Sequence, residues 1–111
     1  MKIAFATDGK SLEDKIALHF GRAKNFLVYD TETKDFESFT NPEIVSQALP
    51  PDFLHDLGIA AVVVFSLGPN AYKKFQGYGI KMYKAKEGSF LDNIKLFEQG
   101  KLFSLKEKDI F

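Results

Sequence analysis

The stretch Leu18-His19-Phe20-Gly21-Arg22-Ala23 places an imidazole, a glycine and a guanidinium within four consecutive positions. Histidine can bind a metal, carry a proton or hydrogen-bond an anion near neutral pH. Arginine forks onto phosphate or carboxylate oxygens. Gly21 permits a positive φ or a close backbone approach. A plainer reading stays open beside this one. His19 could bond a backbone carbonyl to pin a loop, and Arg22 could pair with a local acid such as Asp8.

Two other clusters carry chemistry. Ser66-Leu67-Gly68-Pro69-Asn70 reads as the entry to a helix, where free backbone N–H groups receive anions. No Walker lysine follows it and no G-x-G-x-x-G spacing is present, so it does not point to a nucleotide. Thr7-Asp8-Gly9 ends the first apolar run. There the Asp8 carboxylate could hold a metal, although Asp-Gly is also a common turn pair. His55, between Leu54 and Asp56, reads as a surface or helix-end residue. No nucleophile–base triad or zincin motif is present.

The chain has no cysteine, which excludes disulfides, thiolate nucleophiles and iron–sulfur clusters held by its own thiolates. With only two histidines, a tetrahedral structural zinc is not expected. Fifteen Lys and Arg balance fifteen Asp and Glu, leaving no net field to draw in nucleic acid or an anionic membrane. We therefore expect neither as a partner. The longest apolar run, Ile59 to Phe65, cannot span a bilayer. The opening MKIAFATDGK turns polar too soon for a secretory segment. The expectation is a cytoplasmic protein, with residues 1–111 forming one domain.

These residues need elements to hold them. Lys2–Thr7 is apolar on both alternating faces, which predicts a buried strand. Asn25–Asp30 predicts a second strand, Thr31–Lys34 a hairpin tip and Asp35–Thr40 an edge strand with a bulge. Asn41-Pro42 breaks the pattern. Pro50-Pro51 opens a helix that Gly58 stops. Ala60–Phe65 reads as a strand buried on both faces, Pro69 to about Tyr78 as a helix, and Ile80–Tyr83 as a short strand. Ser89 and Asp92 predict a capping box for a last helix ending at Gly100, and the tail after it is apolar enough to pack back. This order fits an α/β fold with a mixed five-stranded sheet and helices on its faces. If the first strand pairs in parallel with Ala60–Phe65, their C-terminal ends open a crevice where the three clusters converge.

Four segments resemble the dinitrogenase iron–molybdenum cofactor biosynthesis family, the NifX-like and NifB C-terminal-like domains. They are KIAFATDGK at the start, HFGRAKNFLVYD at 19–30, LPPDFLHDLGIAAVVV at 49–64 and LGPNAYKKFQGYGIKMY at 67–83. The resemblance implies a ribonuclease H-like three-layer fold. It also implies binding or carriage of an iron–sulfur or iron–molybdenum cluster, or its precursor, by a small non-catalytic protein. His19 matches the family's histidine and is the expected metal contact. Thr7, Asp8 and Gly9 match the loop after the first strand. Gly21, Arg22, Ser66, Gly68 and Asn70 complete the expected cofactor-binding set. The chain departs from the family at Asn41–Leu49, where many members are glycine-rich, and at Ser66-Leu67, where members commonly carry a glycine pair. Those departures support an alternative, an interaction or regulatory module of the same fold with a decayed cluster site. An enzyme ranks last, since a ribonuclease H-type nuclease needs clustered carboxylates and the central strands carry none. The expected partner is a metal cluster or anionic cofactor, with a protein partner or homodimer left open.

Overall fold

Alternation of large and small apolar residues builds the centre of the sheet. In the computed structural model, which describes residues 1–45 and 49–110, β1 (Lys2–Thr7) has every residue after Lys2 buried. Antiparallel β2 (Asn25–Asp30) lies beside it, with Lys2 opposite Asp30 and Thr7 opposite Asn25. The tip Thr31–Lys34 returns the chain as β3 (Phe36–Thr40), antiparallel to β2. The short α1 (Pro42–Val45) and α2 (Pro50–Asp56) then carry it to the other side of β1. There β4 (Ile59–Val64) runs parallel to β1, and after α3 (Pro69–Tyr78) β5 (Lys81–Lys84) runs parallel to β4. The five strands lie in the order β3-β2-β1-β4-β5. Chain direction thus diverges at β1 and β4, and their C-terminal ends flank the crevice this topology creates.

Helices cover both faces. Leu54 of α2 and Phe75 of α3 pack on Ala4, Ala6, Phe26, Val28, Val62 and Val64. Phe90 and Ile94 of α4 (Phe90–Glu98) pack on Ile3, Phe5, Leu27 and Val63 from the opposite side. Phe5, Phe75 and Phe90 are fully buried, and each such ring contributes about 1.5–3 kcal/mol of transfer free energy. Left-handed glycines close α2 and α3, with φ of 81° at Gly58 and 73° at Gly79, a conformation that a side chain would strain. The α4 capping box forms as expected: Asp92 N–H donates to Ser89 Oγ at 3.1 Å and Ser89 N–H to Asp92 Oδ2 at 3.0 Å.

Several boundaries differ from the sequence reading. The bulge expected in β3 is absent, and its pairing with β2 is continuous from Asn25–Thr40 to Tyr29–Phe36. The irregularity sits instead between Lys2 and Ile3 of β1, against β4. Strand β4 begins one residue earlier and β5 one residue later than expected. Where the sequence marked only a break, α1 starts, because Asn41 Oδ1 accepts from Glu43 N–H at 3.0 Å and bends the chain into a helical turn. Within the departing segment Asn41–Leu49, residues 46–48 lie outside the described residues. The apolar tail does pack back, pairing Ser104 with Tyr83 and Ile110 with Leu67. Among the described residues no helix is long and apolar enough to cross a membrane.

Candidate functional site

The loop after β1 divides its work between the two faces of the sheet. Its first half serves α4, and its second half, from Ala17 onward, reaches the C-terminal end of β4. Ala17 N–H donates to Ala6 O at 2.8 Å, and Ser66 Oγ donates to Leu18 O at 3.0 Å, joining this loop to the β4–α3 turn. Phe20 anchors the loop in the core, its ring centroid 5.1 Å from Phe26 and 5.4 Å from Phe75. A single 3-10 turn, Phe20–Arg22, follows, and Arg22 N–H bonds His19 O at 3.2 Å. Buried Asn41 holds that turn from below: its Nδ2 donates to Ala23 O at 2.9 Å and to Gly21 O at 3.4 Å.

The result is a cavity of about 290 Å³ lined by His19, Phe20, Gly21, Arg22, Ser66 and Gly68. It continues over Phe20, Gly21 and Gly68 into a more apolar trough of about 510 Å³. Leu49, Pro50, Pro51 and Ala71 line that trough, and Glu43, Asn70, Lys73 and Lys74 edge it. The structure therefore brings six of the expected site residues, His19, Gly21, Arg22, Ser66, Gly68 and Asn70, to one continuous depression.

The backbone around the cavity is receptive to negative charge. Gly68 is the N-cap of α3 and offers no side-chain cap, Pro69 has no N–H, and no acid lies in the first turn. The N–H groups of Asn70 and Ala71 thus have no acceptor inside the helix, at the positive end of its dipole. In α4 the corresponding donors are satisfied by the chain itself. Leu91 N–H reaches Leu12 O at 2.9 Å and Asp92 N–H reaches Ser89 Oγ at 3.1 Å. Gly21 and Gly68 are not required by the backbone. Gly68 has φ −72°, Gly21 is not in the left-handed region, and a Cβ on either would meet nothing within 4 Å. Their missing side chains leave bare main chain facing the depression. The positive φ considered for Gly21 is therefore not what places it here.

Charge around the rim is mainly positive. Arg22 is exposed and forms no ion pair with a described residue, so the pairing with Asp8 considered from sequence does not occur. Lys73 is likewise exposed, while Lys74 is engaged by Asp52 at 3.0 Å. The Tyr78 hydroxyl, then Lys74, hold the Asp52 carboxyl below the usual carboxylate range by hydrogen bonding. His55 stacks on Tyr78 with centroids 3.8 Å apart and lines neither part of the depression.

Thr7, Asp8 and Gly9 occupy a different place. Thr7 is buried and its Oγ1 donates to Gly9 O at 2.8 Å, while Asp8 N–H donates to Lys15 O at 3.1 Å. A Cβ on Gly9 would fall 2.2 Å from the Asp14 carboxylate, so a side chain there would displace that carboxylate from Ser11. Ser11 N–H and Oγ both donate to that carboxylate, which keeps it below its usual range. These residues shape the half-loop that caps α4 and do not line the depression. Among the described residues no three His, Asp or Glu side chains gather as a metal-binding set. The sequence reading missed Phe20 as anchor and Asn41 as clamp. The Asn-Pro pair is the available signal for Asn41, and by itself it marks only a break in the pattern.

A crevice at the carboxyl ends of parallel strands, floored by an uncapped helix N-terminus and rimmed mainly by cations, marks an α/β protein whose site presents donors suited to negative charge. The chain belongs to the dinitrogenase iron-molybdenum cofactor family, whose profile matches residues 1–100. Membership implies, for the family, involvement in the biosynthesis or binding of that cofactor. An uncharacterized protein of Methanocaldococcus jannaschii, MJ0580, is 31% identical over 112 residues, covering 92% of this chain and 89% of its own. The apo form of the orange protein of Desulfovibrio gigas is similar in structure, with TM-score 0.84 and 26% identity over 94% of this chain and 92% of that one. MJ0327 of Methanocaldococcus jannaschii gives TM-score 0.76 and 26% identity, covering 96% and 95% respectively.

Proposed function

We propose that this chain is a non-catalytic carrier that receives an anionic metal–sulfur cluster, or its iron- or molybdenum-containing precursor, in the depression between β4, α3 and the His19 loop. The observation that carries this reading is the pair Gly21 and Gly68. Neither glycine is needed for backbone conformation, and both expose main chain beside the N–H groups of Asn70 and Ala71, which have no backbone acceptor among the described residues. With no cysteine, the donor set fits one metal–imidazole bond at His19 and charge neutralisation elsewhere. Arg22 and the α3 N-terminus would supply that neutralisation to sulfide or oxo atoms. Thr7, Asp8 and Gly9 contribute by fixing where the loop departs from β1.

We read the architecture as ribonuclease H-like and residues 1–111 as one working unit. Catalysis is not part of the reading, since β1 and β4 bring no carboxylate to the crevice for two-metal chemistry. A decayed interaction module is not favoured, because the histidine, the arginine and both bare glycines meet at one cavity. The test is anaerobic reconstitution with iron, sulfide and molybdate, followed by desalting, visible absorption and elemental analysis. The wild type should retain colour and metal, and His19→Ala should lose most of both. Equally colourless wild type and variant would overturn the carrier reading.

A further inference from the structure

The family match ends at residue 100, yet the segment after it is tied to the cavity. Buried Leu102 leads into backbone pairing along the outer edge of β5. Lys84 N–H donates to Phe103 O at 2.8 Å, and Leu105 N–H donates to Met82 O at 3.0 Å. The chain then turns at Lys106–Asp109 and reaches the β4–α3 turn, where Leu67 N–H donates to Asp109 O at 3.1 Å. Lys84 completes the link. Its Nζ donates to Phe65 O at 2.6 Å and to Asp109 Oδ1 at 2.8 Å. Three consecutive residues before Gly68 are thereby fixed from outside their own strand: Phe65 by Lys84, Ser66 by Leu18 and Leu67 by Asp109. Covering a sheet edge requires only the bonds to β5. The bonds of Asp109 and Lys84 instead hold the main chain that leads into the anion-receptive helix terminus.

We propose that residues 101–110 form a strap that sets the Ser66–Asn70 turn for its ligand, with Lys84 and Asp109 as positioning residues, so that releasing the strap weakens binding. This rests on the depression being the ligand site. Lys84 and Asp109 line neither part of it and act through the turn.

The test uses the ¹⁵N-labelled full chain, the variants Lys84→Met, Asp109→Ala and Lys84→Arg, and a chain ending at residue 100. Two quantities are read: amide hydrogen exchange at Leu67 and at Tyr72, whose N–H donates to Gly68 O at 3.1 Å, and molybdate binding followed by the Asn70 and Ala71 amide shifts. Lys84→Met and Asp109→Ala should bind molybdate at least about fivefold more weakly, with native far-UV spectra, and Lys84→Arg should restore binding. Should the shortened chain fail to fold, the point variants decide. Faster exchange at Leu67 with unchanged molybdate affinity would overturn the proposal. If the wild type does not bind molybdate, the carrier reading loses its anion site, and exchange decides the strap alone. Unaltered Leu67 and Tyr72 exchange in Lys84→Met would then overturn the strap.

Discussion

Gly68 concentrates the conflict between stability and ligand binding in one position. Its φ of −72° and ψ of 160° suit a serine N-cap, and a Cβ there meets nothing within 4 Å. Gly68→Ser should therefore raise stability by a few tenths of a kcal/mol in urea denaturation, since serine caps better than glycine. The same hydroxyl would occupy the N–H groups that the ligand needs, so metal retention should fall as stability rises. A loss of both would mean that Gly68 is structural. Gly21→Ala makes a parallel case, with a gain of about 0.4–1 kcal/mol expected from a stiffer unfolded chain. At this scale His19, Arg22 and Gly68 were legible in the sequence as residue types suited to an anionic metal ligand. The reason for each glycine was not, because φ and open space belong to the folded backbone.

Asn41 shows what an element needs from a residue far along the chain. Its amide bonds Gly21 O, Ala23 O and Glu43 N–H, linking the His19 turn to the start of α1. Asn41→Ala would leave buried backbone groups without partners, at a cost of about 1–3 kcal/mol by chemical denaturation. It should also loosen the cavity, so metal retention should drop more than in an exposed control away from the depression, such as Glu13→Ala. The strap gives an element-scale pH prediction. The Lys84 hydrogen bond, then the Lys106 N–H, hold the Asp109 carboxyl below its usual range, with Lys108 adding attraction. A depressed native pKa contributes stability above the unfolded value. That contribution declines as pH drops through about 4 toward the lowered native value. In Asp109→Ala this part of the acid limb should be missing from a pH series of melting temperatures. The strands and longer helices were readable because periodicity and caps are local. Asn41 as clamp and Asp109 as strap anchor were not, because their partners lie 18 and 25 residues away or more in sequence.

The whole molecule has two cores on opposite faces of one sheet, and only one of them supports the depression. Phe75 lies under Phe20, whereas Phe5 meets Phe90 across the α4 face with centroids 5.0 Å apart. Phe5→Leu and Phe75→Leu should each cost about 1–2 kcal/mol. Reconstitution below the melting range should survive Phe5→Leu and suffer in Phe75→Leu. Equal effects would mean that the loop does not depend on its anchor. The mixed sheet with helices on both faces was foreseeable from element order alone, since hairpin and crossover connections leave few topologies. The strap has a consequence for how copies of this protein can meet. By pairing with β5 it leaves β3 as the sheet edge with unpaired backbone groups among the described residues. Joining through that edge runs β3 to β3, a two-fold contact that uses up the open edge of both copies. Growth through β3 therefore ends at a pair.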